Sequence, residues 1–265
     1  MEFHDPADLP RICAERLGAR AGARFAAMAR RGFRLEPATD DAPPTGRCRL
    51  GGPALLDPET PWPSLGGVPL SLLAVLDTDA LRPWLGDELP TRPGLLNFFQ
   101  LDPDIPYEEY RQLDTTDPEM YRVVPADPDR AVETAAPAPA RRYPARPVRA
   151  VGSVMLPDSW DVADDDLEYD PDRHWGAASL VLDAMEGFDG NTAGRHCAFG
   201  WPDTSYGTSV TDRDADGPVV HLLQLAADDE LGWAWGDAGT LYFTIPAKAF
   251  AAGDYGPAGA VGLCC

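Results

Sequence analysis

Four histidines (His4, His174, His196 and His221) and five cysteines are the residues of this chain best suited to metal binding or covalent catalysis. His196-Cys197 together with Cys264-Cys265 would supply four zinc ligands if the fold joined them. Neighbours on a strand point to opposite faces, however, so adjacent pairs chelate poorly, and no metal is expected. Cys197 with His221 or His174 has the residue types of a nucleophile and its base. No local sequence supports either pair, and no catalytic residue is assigned. Asp164, Asp165, Asp166 and Glu168 offer oxygen ligands without the spacing and central glycine of a calcium loop, so they read as solvated loop. No strand-to-helix G-x-G-x-x-G, P-loop, G-x-S-x-G or H-E-x-x-H pattern is present. No cofactor is expected, and the balance leans away from an enzyme.

The other candidate is aromatic. In ELGWAWGDAGTLYFTIP, residues 230–246, two tryptophans precede a Gly-Asp-Ala-Gly turn and an alternating apolar run. Gly236, Asp237 and Gly239 supply turn chemistry. Leu241 and Phe243 should face one side of the strand that follows, Tyr242 and Thr244 the other. Trp233 and Trp235, two residues apart, should share a face of the strand preceding the turn, and stacked aromatics stabilise a hairpin directly. The stretch is therefore expected to be structural, with Trp235→Ala lowering stability by about 3–5 kcal/mol. The competing reading is a ligand cleft lined by Trp62, Trp201, Trp233, Trp235 and Asp237.

The elements that would position these residues are mostly short. Glycine and proline number 25 and 28, which favours strands and turns over a bundle. Residues 8–34 are the exception: Leu9, Cys13, Leu17, Ala21, Phe25 and Met28 recur at helical spacing. Arg16, Arg20 and Arg24 form a row on another face, suited to docking on the acidic body of the protein. GGVPLSLLAVLD and PGLLNFFQLD read as strands, with Asp77 or Asp79 capping a short helix between them. Residues 125–147, Pro/Ala-rich and aperiodic, read as an extended linker, and RHWGAASLVLDAMEG as a helix.

Sliding the chain along itself by 149 residues aligns Cys48–Leu76 with Cys197–Leu225 without a gap. Cys48/Cys197, Gly51/Gly200, Pro53/Pro202, Pro69/Pro218, Leu73/Leu222 and Leu76/Leu225 match, and GLLNFF at Gly94 then answers GTLYFT at Gly239. The expected fold is α+β, a tandem duplication of a mainly antiparallel β-sheet motif with short helices and the N-terminal helix 8–34. Repeat one runs over about 46–124 and repeat two over about 148–265, together one domain.

Charge narrows the partners. Against 22 basic residues stand 43 acidic ones, a formal net charge of −21. Phosphate contacts need basic side chains, so nucleic acid and anionic membrane surfaces are not expected as partners. A basic protein is, with an association rate that falls as salt rises. MEFHDPADLP has no signal-peptide pattern. The odd cysteine count fits reduced thiols, and a cytoplasmic location is expected.

WPSLGGVPLSLLAVLD, PGLLNFFQLD, YRVV, HLLQLAADDELGWAWGDAGTLYFTIP and the terminal Cys-Cys together resemble the YwqG-like family, a bacterial domain family of unknown function. The resemblance covers most of residues 48–265, and Trp-Gly-Asp-x-Gly-x-Leu-Tyr-Phe is its most specific part. It implies a sheet-rich, duplicated α+β fold and no established reaction. It also implies polar glutamines: Gln224 keeps one and joins the candidate binding residues, whereas Val75 and Gly262 replace two others. The leading expectation is a non-catalytic interaction module for a basic protein, immunity-like or regulatory. The alternative is a small-molecule or sugar-binding protein, or a hydrolase, using the tryptophan cleft.

Overall fold

The computed structural model describes residues 2–3, 7–90, 94–185, 195–202, 209–211 and 217–264; His4 and Cys265 lie outside the described residues. A short strand, β1 (Glu2–Phe3), precedes two helices, α1 (Leu9–Leu17) and α2 (Ala19–Ala27), and then strand β2 (Arg30–Pro37). The single helix expected over 8–34 is thus corrected to two helices and a strand. Gly18 breaks it at φ 81°, outside helical backbone. Leu9, Cys13 and Leu17 of α1 and Ala21 and Phe25 of α2 keep the buried helical spacing. Gly22 lets the two helices touch, since a Cβ there would stand 2.4 Å from the Cys13 carbonyl oxygen. Past Met28 the buried spacing drops to two, Phe33 and Leu35, the period of a strand. The arginine row reaches the acidic segment and α5 (Ala177–Ala184). Arg16 donates to the Ala184 carbonyl at 3.0 Å, Arg20 pairs with Glu168 at 2.9 Å, and Arg24 donates to the Asp166 carbonyl at 3.4 Å.

The chain continues through β3 (Arg49–Leu50), β4 (Ala54–Leu56), β5 (Ser64–Leu65), β6 (Val68–Pro69), β7 (Ser71–Asp77), α3 (Thr78–Leu85), β8 (Leu95–Gln100), α4 (Tyr107–Tyr110) and β9 (Tyr121–Ala126). After β10 (Val132–Thr134) come β11 (Arg146–Met155), α5, β12 (Cys197–Phe199), β13 (Val219–Ala226), β14 (Thr240–Pro246), α6 (Ala247–Ala252) and β15 (Gly259–Leu263). The main sheet runs β15-β14-β13-β12-β2-β11-β3-β7-β8-β9, with β1 added to β11. Its pairings are antiparallel. The end strands β9 and β15 come into contact, so the sheet is a nearly closed, barrel-like one.

The order reads alike from both ends. β2 and β11 pair in the middle, and each also pairs with a strand from the other half of the chain, β12 and β3 respectively. Outward from there, β3-β7-β8-β9 on one side is matched by β12-β13-β14-β15 on the other. The register of β7 on β8 slips at Leu73, and that of β13 on β14 slips at Leu222. A β-bulge of this kind adds one residue and bends its strand inward or outward. Leu73 and Leu222 both enter the barrel core, where Phe98 and Phe243 meet edge to face at 5.2 Å between ring centres.

Residues 125–147, expected as an extended linker, are packed against the body. β10 pairs with β4, Pro103 bridges to Ala140, and Ala136, Ala140 and Tyr143 are buried. A three-residue strand is too short to leave a periodic signature, and so the composition alone misled. Buried Asn97 ties the same region together. Its Oδ1 accepts from the Leu55 amide at 2.8 Å, and its Nδ2 donates to the carbonyls of Leu55 and Val124 at 2.7 and 3.1 Å. Asp77 caps α3 as expected, accepting from the Ala80 amide at 3.2 Å.

Candidate functional site

The tryptophans expected to share a cleft are distributed over three clusters. Trp62 packs outside the barrel, edge to face with Phe99 at 5.2 Å, its Nε1 donating to the Leu70 carbonyl at 2.8 Å. Trp201 lies with Met155 and Cys197 and donates to the Met28 carbonyl at 2.7 Å. Trp233 is in the barrel core, and Trp235 is half-buried against that core, 5.9 Å from Trp233. Trp233 and Trp235 are therefore brought together, but in the connection between β13 and β14 and not on one face of a strand as expected, while Trp62 and Trp201 stand apart. Asp237 is exposed. Gln224 is buried and donates to the Arg195 carbonyl at 3.2 Å; Val75, 149 residues earlier, sits in an apolar cluster.

Two arrangements of charged and titratable groups remain. The first surrounds the turn before Trp233. Arg146, from the start of β11, grips Asp228 through Nη1 at 2.5 Å and Nη2 at 3.2 Å, and Nη2 also reaches Glu230 at 2.9 Å. His196 Nδ1 accepts from the Ala226 amide at 3.2 Å, which leaves the proton on Nε2, 3.1 Å from the Asp228 carboxylate. Burial pushes the Asp228 carboxyl up, but hydrogen bonds from Arg146, His196 and the Leu231 amide outweigh it and hold the group well below the usual carboxylate range. His196 is pushed down by burial, against the pull of Asp228. Every nitrogen of His196 and both oxygens of Asp228 are engaged. This network is closed, and its work is to fix the Asp228–Trp233 turn, in which the two residues exchange backbone bonds at 3.0 and 2.9 Å.

The second arrangement is open. A cavity of about 360 Å³ lies between the start of β2, the end of β12, β13 and α6. Leu85, Leu89, Phe199 and Phe250 give it apolar walls, and Arg30, Arg31, Glu88 and His221 bring charge and polarity. Gly200, at φ 67°, follows Phe199, which pairs with Gly32 of β2, and its Cα lies 3.1 Å from where a Gly32 Cβ would be. That pairing sets Phe199 and the two arginines around one space. Arg30, Pro218 and Val219 also line a larger cleft of about 1020 Å³, with Trp160, Asp161 and Trp201.

His221 is 1 % exposed, and its Nδ1 lies 3.1 Å from the Phe199 carbonyl, to which it donates. Among the described residues its Nε2 has no hydrogen-bond partner. Burial pushes the imidazole down to about 4, and the charge of Arg30 acts in the same direction, against the bond to Phe199. The unfolded chain takes up a proton near pH 6.5 that the folded chain refuses until about pH 4. Stability attributable to His221 is thus complete above pH 6.5 and lost as pH falls through that window, by up to about 3 kcal/mol. In urea unfolding at pH 7, 6, 5 and 4, His221→Leu should show a flatter pH profile than wild type over this interval. An unchanged profile would refute the assignment.

Glu88 is pushed up by burial, opposed by Arg31 and Arg30. Arg31 is tied through Nη1 to the Trp84 carbonyl at 3.2 Å. None of the three arginine or glutamate positions carried a sequence signal, because Arg30 and Arg31 fell inside the expected helix and Glu88 in a loop. His221 did carry one: a polar residue in the otherwise apolar run VVHLL.

The cysteine and histidine pairs do not assemble. Cys197 is buried opposite Gln224, His196 is engaged with Asp228, and Cys264 is exposed beside the Gly236 turn. Among the described residues no group of three or more His, Cys, Asp or Glu is placed to hold a metal ion, and no helix is long and apolar enough to cross a membrane. No curated protein matches the chain. The model of one family does, over residues 48–261, which span β3 to β15 and so most of the barrel with His221, Glu88 and the Trp233 turn; the chain belongs to that family, a domain of unknown function (DUF1963).

Proposed function

We propose that this protein binds a small molecule in the 360 Å³ cavity, with the ligand's polar end toward Arg30. Two of the lining residues carry the reading: His221, whose buried Nε2 has no hydrogen-bond partner among the described residues, and Arg30, whose guanidinium has no hydrogen bond or ion pair among them. Buried polar groups are ordinarily paired, and unpaired ones in a concave apolar pocket mark a ligand's place. The volume falls within the range of about 300–1,000 Å³ typical of such sites. Among the described residues lining the cavity none is a serine, threonine or cysteine, and the reading is a binding site. Ligand-observed fluorine NMR with a fluorinated fragment library tests it. Fragments should bind wild type and be lost in Ala247→Trp, which fills the cavity from α6. A library that does not distinguish the two proteins would sink the proposal.

The net charge of −21 supports a second reading, in which a basic protein is also a partner. We further infer that the barrel arose by tandem duplication and that the YwqG-like resemblance is to this same family. The palindromic strand order supports the duplication, as do bulges at Leu73 and Leu222, which keep the sequence offset of 149.

A further inference from the structure

Resting on the ligand reading above, we infer that the ligand is an apolar monocarboxylate whose head group is held by Arg30. The Arg30 guanidinium carbon stands 3.5 Å from the centre of the Trp201 ring. Trp201 is itself fixed by the bond from Nε1 to the Met28 carbonyl at 2.7 Å. Stacking on a fixed indole holds the guanidinium flat, and its N–H groups then point outward in one plane. Arg31, by contrast, is committed to the Trp84 carbonyl. A half-buried planar fork with no acceptor among the described residues matches the two coplanar oxygens of a carboxylate.

The surroundings select the charge of the head group. Asp161 and Glu88 both act electrostatically on Arg30 without reaching ion-pair distance. Farther along the larger cleft stand Asp165 and Asp166. A dianion such as a phosphate monoester would meet these carboxylates with twice the charge of a carboxylate and gain the same fork. An alcohol would leave the fork unmatched. The body of the ligand is aliphatic or aromatic, because Leu85, Leu89, Phe199 and Phe250 form the remaining wall.

Calorimetric titration of the full chain with hexanoate, hexan-1-ol and hexyl phosphate decides this. Hexanoate should bind about tenfold more tightly than either of the others, the worth of charge-assisted hydrogen bonds. Arg30→Met should bring hexanoate to the level of hexan-1-ol and leave hexan-1-ol unchanged. Arg30→Lys, which keeps the charge and loses the fork, should also lose most of the preference. Melting curves report whether the variants are folded, and if Arg30→Met is not, the wild-type series and Arg30→Lys still give the answer. Hexan-1-ol binding as well as hexanoate, or hexyl phosphate binding better, overturns the head-group assignment while leaving the cavity occupied. No binding by any of the three also overturns it, and the fragment comparison then judges the cavity separately.

Discussion

Trp233→Ala is expected to lower stability by about 3–5 kcal/mol, the range for truncating a fully buried large aromatic. Trp233 is 2 % exposed and meets three rings: Tyr143 at 5.8 Å, His196 at 5.7 Å and Trp235 at 5.9 Å. Truncation would remove those contacts and open a void where barrel core and turn join. The expectation attached to Trp235 from sequence moves to its neighbour, because Trp235 is only half-buried. Trp235→Ala should cost about 1–2 kcal/mol, in proportion to its smaller buried area. Urea unfolding with an unchanged slope is the measurement. A larger loss at Trp235 than at Trp233 would contradict the packing described.

Arg146→Met should cost a similar amount, about 3–5 kcal/mol, for an electrostatic reason. Asp228 is 14 % exposed and Arg146 17 %, so the variant strands a carboxylate in a site that excludes most water. Burial still lowers His196 once Arg146 is gone, so the imidazole offsets at most part of the lost charge. Removing both partners together, as Arg146→Met with Asp228→Leu, should recover much of the loss, since no unpaired charge remains. The pH dependence has a definite sign. Asp228 is held below its unfolded value, so its contribution is present above about pH 4 and fades as pH falls further. The gap between wild type and Arg146→Met should therefore narrow in acid. A gap that stays constant from pH 7 to pH 3 would assign the loss to packing instead.

Local signals explain which parts of this architecture could be read in advance. β7, β8, β13 and β14 were legible because each is a run of apolar residues bounded by turns, and the Asp77 cap because its chemistry is confined to four residues. The end of the N-terminal helix was not, since one glycine at φ 81° and a change of period past Met28 are weak against a pattern of well-spaced apolar residues. β10 was hidden by its length. The hairpin around Trp233 was legible as structure, yet the Arg146–Asp228 clasp that fixes it joins residues 82 positions apart. The cavity is harder still. His221, Arg30 and Glu88 belong to three separate segments, and His221 comes to Arg30 because β12 pairs with both β2 and β13. Pairing order of that kind is a property of the whole sheet, which no single window of sequence contains.

The exchange of β2 and β11 between the two halves has a consequence for how the chain is made. Among the described residues β2 has β11 and β12 as its sheet neighbours, and its partners in them, such as Val151 for Arg34 and Cys197 for Arg34, come more than a hundred residues later. On a ribosome adding about 5–20 residues per second, β2 would wait on the order of ten seconds for both neighbours to be synthesised. During that interval Phe33 and Leu35 have no sheet to enter, and the strand's amides face water or whatever binds them. Neither half can close its own sheet before the other exists. The barrel must therefore finish late and almost at once, with its first long strand among the last to be locked in place.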